Sequence, residues 1–295
     1  MTGDIPSFRV PCAGTEMNVR TAGSGPWTIV LDGGWLQWSP LWARVQESLA
    51  QHHRTVAIDR LGLGESGRGP MPRSAYQIVD ELQEALAVLE VEGPLIAVGA
   101  GFGAVHARVL AHRESSVRGL VLVDPVVEVL ARTKRFSSYR DRLDAELQKN
   151  WGPFKALLQD WPGGMRGLPK AAALAIRTQL SSENLFAMRA ELGALEESIQ
   201  QLATLGRPVI PCGVLSRPRS DISFAQAGSS EDASVTMQRK LAEQSEGGLH
   251  EVVDAKRFLP IAAPDAVVRI VEQLTQQDPE HAPTTSPGGP PLGVE

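Results

Sequence analysis

The 295-residue chain carries 29 Lys+Arg against 34 Asp+Glu, a formal net charge of −5, and is 42% hydrophobic and 21% charged. This is ordinary globular composition with enough apolar residues for a sizeable core, and its mildly acidic balance lacks the basic stripe that a phosphate backbone demands, so nucleic acid is not an expected partner. The two cysteines, Cys12 and Cys212, argue against a disulfide framework and fit a reduced, cytoplasmic setting.

The N-terminal MTGDIPSFRV has neither the basic start nor the apolar run of a signal peptide. No apolar stretch approaches the roughly 20 residues of a transmembrane helix, so no membrane partner is expected. The spacings CxxC and HExxH are absent, so no metal is expected.

Residues 7–13 and 15–23 read as two short strands, and 27–33 (WTIVLDG) as an apolar run ending in glycines, the pattern of a buried parallel strand. A helix is predicted over 40–51, and a strand over 55–59 (TVAID), closed by the turn-rich RLGLGESGRG. Over 75–92, Ile78, Leu82, Leu86 and Leu89 share one helical face. A strand at 94–100, a helix at 102–113 and a strand at 119–124 continue the alternation. Such β-α-β alternation predicts an open, mostly parallel sheet with helices on both faces.

From 127 to 206 the text turns helical, at 139–150, 153–159, 170–180 and 185–202. Strands resume at 208–215 and 249–254, and a last helix is predicted over 263–276. The expected organisation is a core of 1–126 and 207–277, a helical cap of 127–206 inserted after the sixth strand, and a Pro-rich disordered tail of 278–295.

Several strings, in order, carry a resemblance: VLDGGW (30–35), AIDRLGLGESG (57–67), VGAGFGAVHA (98–107), GLVLVDP (119–125) and FLPIAAPDAVVRIV (258–271). Together they resemble the α/β-hydrolase fold over roughly residues 7–276, with an oxyanion loop at VLDGGW, a Gly-x-Ser-x-Gly nucleophile elbow at VGAGFGA and the segment after the catalytic histidine at FLPIAAP. The resemblance implies a backbone oxyanion hole built from the N–H groups of Gly34 and Phe102.

The chain departs from the family pattern where the chemistry sits. Gly101 stands at the nucleophile position and offers nothing to attack a carbonyl. Arg257 stands where the histidine belongs, and arginine is not deprotonated near neutral pH. Asp32 replaces the oxyanion-loop histidine, and Asp221 comes several residues late for the triad acid. His106, five residues past Gly101, and His250, at the start of the last strand, both read as structural, and Cys212 as a small buried hydrophobe. Trp35, Trp38 and Trp42 are either core packing or an aromatic wall for a bulky ligand.

Three functions stay open. The first is a non-hydrolytic isomerase that epimerises an α-carbon of a peptide natural product. A carbonyl held by Gly34 and Phe102 has its α-proton acidified, and a carboxylate of the substrate serves as base. Its binding residues are expected to be Trp35, Trp38, Gly101, Phe102, Arg257 and Phe258, with Arg257 holding a carboxylate. The lost nucleophile, the lost histidine and the large cap resemble α/β-hydrolase-fold peptide epimerases of antibiotic biosynthesis. The second function is an inactive binding or carrier protein for a hydrophobic small molecule. The third is a hydrolase or lyase with a base elsewhere. No cofactor is expected in any of them.

Overall fold

The structure, a computed structural model, describes residues 5–35, 37–126, 137–138, 141, 144–145, 181–206, 209–218, 233–245, 247–255 and 258–277. Eight strands form one sheet: β1 Ser7–Cys12, β2 Thr15–Ala22, β3 Thr28–Asp32, β4 Arg54–Ile58, β5 Leu95–Ala100, β6 Val117–Val123, β7 Cys212–Ser216 and β8 Leu249–Val252. Their order is β1-β2-β4-β3-β5-β6-β7-β8. The β1–β2 and β2–β4 pairs are antiparallel, and every pair from β4–β3 onward is parallel. The central strands are apolar on both faces because both are covered; all five residues of β3 and all six of β5 are buried.

The helices are α1 Ala43–Leu49, α2 Ala75–Val88, α3 Gly103–Arg113, α4 Ser182–Gly193, α5 Leu195–Leu205, α6 Ala233–Glu243, α7 Leu259–Ala262 and α8 Pro264–Gln277. One apolar cluster joins α2, α3, α5 and α6 to one face of the sheet through Val79, Leu82, Val109, Ile199, Leu202 and Leu241. The other joins α1 and α8 to the opposite face through Val45, Leu49, Val267, Ile270 and Leu274.

The predicted elements agree with these within a few residues, with three differences. The single helix expected over 185–202 is two helices. Ala194 ends α4 and begins α5, next to Gly193, whose missing side chain weakens a helix interior. β7 starts at Cys212, four residues later than expected; Pro211 has no N–H to give to a ladder, although its carbonyl accepts from Leu120 N–H at 3.0 Å. Helix α6 and the short helix α7 were not anticipated. The helices expected at 139–150, 153–159 and 170–180, and the tail of 278–295, lie mainly or wholly outside the described residues. Among the described residues no helix is long and apolar enough to cross a membrane.

The turn after β4 is organised by one buried carboxylate. Asp59 accepts Ser39 N–H (2.8 Å), Asn18 Nδ2 (2.9 Å) and Glu65 N–H (3.1 Å), while Ser66 Oγ returns a hydrogen bond to the Asp59 carbonyl. Burial pushes the Asp59 carboxyl up and these donors pull it back only in part. Asp59→Ala leaves three donors without their acceptor. The expected cost is about 3 kcal/mol or more, at roughly 1–3 kcal/mol for each orphaned buried group, measured as a fall in the urea midpoint at unchanged m-value.

Candidate active site at the sheet's carboxyl edge

Two loops meet above the carboxyl ends of β3 and β5, the place where ligands bind in open α/β sheets. The first runs on from β3 through Gly33 and Gly34. The second is the sharp turn from β5 into α3, with Gly101 at its apex in the left-handed region, φ +54°. The Gly101 backbone is pinned to the neighbouring strand end by Gly101 N–H to the Val123 carbonyl (2.9 Å) and Val126 N–H to the Gly101 carbonyl (3.1 Å).

Side chains are excluded around the turn but not at its apex. A Cβ on Gly99 would lie 2.3 Å from the Gly103 carbonyl oxygen, and one on Gly103 would lie 2.4 Å from that of Gly33. Among the described residues, a Cβ on Gly101 would meet nothing nearer than Gly34 Cα at 3.7 Å. The elbow therefore keeps the space in front of its apex while presenting no reactive atom there. The N-terminal end of α3 contributes amides without intrahelical partners and a positive dipole end.

Beneath these loops lies a buried ionic cluster that sequence reasoning missed. Arg60, just after β4, is 1% exposed. Its Nη1 donates to Asp32 Oδ1 at 2.5 Å and to the Gly33 carbonyl at 2.6 Å, and its Nη2 donates to the Gly34 carbonyl at 3.0 Å. Its Nε and Nη2 also fork onto Glu191 of α4, both at 2.9 Å. Asp32 is shared further, since its Oδ2 lies 2.6 Å from Nδ1 of His106. His106 was expected to be structural, and it is fully buried; its Nε2 finds no partner among the described residues.

Burial alone would raise the Asp32 carboxyl, but Arg60 and His106 outweigh it and hold the group below the usual carboxylate range. Burial likewise opposes the Arg60 guanidinium, and Asp32 and Glu191 overcome it and hold Arg60 above its ordinary value. The signal in the sequence was the Asp-Arg pair of AIDRLG beside an aspartate at the end of β3. The partner on α4 lies 131 residues from Arg60 and has no local signature.

The expected site residues are placed as follows. Gly34 and Phe102 stand on the two facing loops. Gly34 N–H donates to its own neighbour, Gln37 Oε1, at 3.1 Å. The Phe102 ring is buried, stacked on Trp35 (centroids 5.1 Å apart) and edge-on to His106 (5.0 Å). Trp38 is 1% exposed and sits against the turn that Asp59 organises, within 3.0 Å of the position a Cβ on Gly64 would take. Trp42 is buried in the α1–α8 cluster. Phe258 adopts φ +62° at the start of α7 and is partly buried. Arg257 and Asp221 lie outside the described residues. His250 lies 2.8 Å from Ser216 Oγ on the adjoining strand, and Asp124, at the end of β6, is paired with Arg217 Nη2 at 2.6 Å. Among the described residues no group of three His, Cys, Asp or Glu could hold a metal.

Residues 28–270 match the Alpha/beta hydrolase family, and the chain belongs to that family. A Bacillus subtilis protein, YqjL, is 32% identical over 106 residues, 36% of this chain and 42% of that protein, so the chain spans less than half the length of that curated relative. Among solved structures, a Pseudomonas aeruginosa protein assigned as an epoxide hydrolase aligns at TM-score 0.72 with 20% identity, over 94% of this chain and 97% of that one. An esterase from Thermogutta terrifontis aligns at TM-score 0.69 with 19% identity, over 92% and 98%. At these identities the structures speak for the fold. None of the three is named as an epimerase, so the epimerase expectation rests on the sequence alone.

Breaking the buried cluster is expected to be costly. Glu191→Ala should destabilise by about 3–5 kcal/mol, the usual result of stranding a buried charge. Glu183→Ala, which removes the exposed partner of Arg68 in a 3.4 Å pair, should change stability by about 0.5 kcal/mol or less. Paired denaturant titrations measure both. Because the Asp32 carboxyl is depressed in the folded state, its pairing contributes stability above the ordinary aspartate value of about 4 and loses it as pH falls through the lower folded value. The melting-temperature gap between wild type and Asp32→Asn should therefore be widest near neutral pH and shrink in acid. A gap that stays constant with pH would contradict this assignment.

Proposed function

We propose that the protein is a non-hydrolytic member of the α/β hydrolase family that binds a carbonyl between Gly34 and Phe102 and epimerises the adjacent α-carbon of a peptide natural product. The observation that carries this reading is the elbow apex, where Gly101 offers no nucleophile opposite the oxyanion loop and where, among the described residues, a Cβ would meet nothing nearer than 3.7 Å. Acyl transfer needs an attacking atom there, whereas enolisation needs only the electrophilic half of the site. The α-C–H bond breaks, its proton passes to a carboxylate of the substrate, and the electron pair moves into the carbonyl, whose oxygen is held by the two amides. The enolate then takes a proton from a solvent water on the opposite face, and the substrate's carboxylic acid returns its proton to solvent, so that atoms and charge balance. The step is redox-neutral and calls for no cofactor.

A substrate carboxylate as base fits the surroundings, because the nearest histidine with an oriented ring, His106, is fully buried and lies against the Phe102 ring. Arg257 is the residue proposed to hold a carboxylate of the ligand, and Trp35 and Phe258 are proposed as its apolar contacts, whereas Trp38, expected among them, is packed into the protein at 1% exposure. On sequence features alone this reading resembles the aspartate epimerase of bottromycin biosynthesis.

The test is incubation of an aspartyl peptide with the protein in D₂O. One deuterium is expected at a single α-carbon, at a rate tied to inversion of that centre, with exchange falling by orders of magnitude when the aspartyl carboxylate becomes an amide. Equal exchange of the acid and the amide rules out the substrate as base. No exchange with any bound peptide leaves a binding protein. Hydrolysis is the second reading, favoured by the names of the structurally similar enzymes, and it needs a nucleophile away from the elbow. Under the first reading a fluorophosphonate probe labels neither the wild type nor any side chain at the elbow, and stoichiometric labelling would establish the second.

A further inference from the structure

The Gly34 amide is the donor on which a bound carbonyl depends, and the chain itself occupies it. Gln37 folds back over the loop so that its Oε1 accepts Gly34 N–H at 3.1 Å, while its own backbone N–H donates to the Gly34 carbonyl at 3.1 Å. The Gly34 carbonyl is also held by Arg60 Nη2 at 3.0 Å. The peptide groups around residue 34 are therefore fixed independently of any ligand, and the remaining N–H already points at a carboxamide oxygen. That separation falls within the ordinary N–H···O range and close to the 2.7–3.1 Å that an oxyanion-hole donor keeps from its oxyanion. A Cβ at residue 34 would crowd this arrangement, coming 3.1 Å from Gln37 Nε2 and 3.2 Å from the Ala100 carbonyl oxygen.

The group seated on the donor is a primary amide, chemically the same acceptor as a peptide carbonyl. We propose that Gln37 is an internal stand-in for the ligand's carbonyl, so that binding exchanges one amide acceptor for another and residue 37 sets the affinity of the site. This rests on the carbonyl-binding reading above. The exchange has a chemical consequence for selectivity. A weakly accepting carbonyl, such as that of an ester, gains less from Gly34 N–H than Gln37 already supplies, whereas a peptide carbonyl matches it and an enolate oxygen exceeds it. Gln37 thus screens against poor acceptors before any reaction step. It is a specificity-determining side chain with no part in proton transfer.

Gln37 is only partly buried, and its side-chain hydrogen bond is to Gly34 rather than to the charged groups of the Arg60 cluster, although its Cβ and carbonyl lie close against Gly33; its variants keep the Cβ and are expected to fold, which their melting temperatures verify. The probe is N-acetyl-L-aspartic acid α-N′-methylamide, the smallest molecule with one peptide carbonyl beside a free β-carboxylate, titrated into ¹⁵N-labelled protein. In the wild type, the Gly34 amide and the Gln37 side-chain NH₂ resonances should shift together. Gln37→Ala should tighten binding by about 3- to 10-fold, the worth of one ordinary hydrogen bond no longer displaced. Gln37→Glu, a charged and stronger acceptor, should weaken it by about 10-fold or more relative to the wild type. The order Ala, Gln, Glu from tightest to weakest supports the proposal. Equal or weaker binding by Gln37→Ala, with the Gly34 amide still responding, overturns the stand-in role and leaves the carbonyl site in place. A Gly34 amide that responds in none of the three proteins overturns both.

Discussion

The guanidinium of Arg60 is the constraint on which the rest of the site depends. One planar cation ties together the end of β3 through Asp32, the oxyanion loop through the carbonyls of Gly33 and Gly34, and helix α4 through Glu191. Its fork geometry matters, because a lysine in its place could not reach a carboxylate in two bonds and still hold two carbonyls at fixed angles. A charge buried this deeply persists only if all its donors are used, and its partners therefore cannot move independently. The backbone amide above it inherits that rigidity. Preorganisation of a donor that never carries charge itself is achieved by a charge one layer below.

This arrangement also explains how a hydrolase scaffold can lose its nucleophile and keep a shaped site. In the family pattern that the sequence resembles, the serine side chain projects from the elbow, but the elbow's geometry comes from backbone. Gly101 is held by the carbonyl of Val123 and the amide of Val126, and Gly99 and Gly103 close the turn by near contact. None of these features uses the residue-101 side chain. Replacing it with hydrogen removes the family's attacking atom from the elbow and leaves the backbone of the turn in place. The Asp32 carboxylate, at the position of the family's oxyanion-loop histidine, turns that loop's anchor from a neutral ring into one end of an ion pair.

Most of the fold was legible because it is local. The apolar runs TIVLD and LIAVGA, each bounded by glycine, leave little doubt about the buried parallel strands, and Ile78, Leu82 and Leu86 mark the buried face of α2. The elbow and the oxyanion loop were legible for the same reason, each being a short string with its own turn chemistry. Pairings across long separations were not. Arg60 and Glu191 are far apart in sequence, and nothing around Glu191 distinguishes it from the solvent-facing glutamates that precede Ser198 on α5. His106 was expected to be structural, but its hydrogen bond to Asp32, 74 residues away in sequence, has no local signature. The break at Ala194 was missed because the apolar periodicity runs through it almost undisturbed.

That break bears on motion. Helix α5 is fastened to the core through Ile199 and Leu202, and its Ser198 Oγ accepts the Ala75 amide at the start of α2 at 2.9 Å. Helix α4, on the other side of the joint, carries Glu191 just two residues before Gly193. Any pivoting of α4 about the joint has to draw a carboxylate off a guanidinium inside a medium of low polarisability, where attraction falls slowly with distance and water arrives late. Such a step has a high enthalpic barrier and little reward until solvent fills the gap. The Arg60–Glu191 pair thus fastens α4 on its side of the joint, and because the pair is buried its hold should depend only weakly on salt.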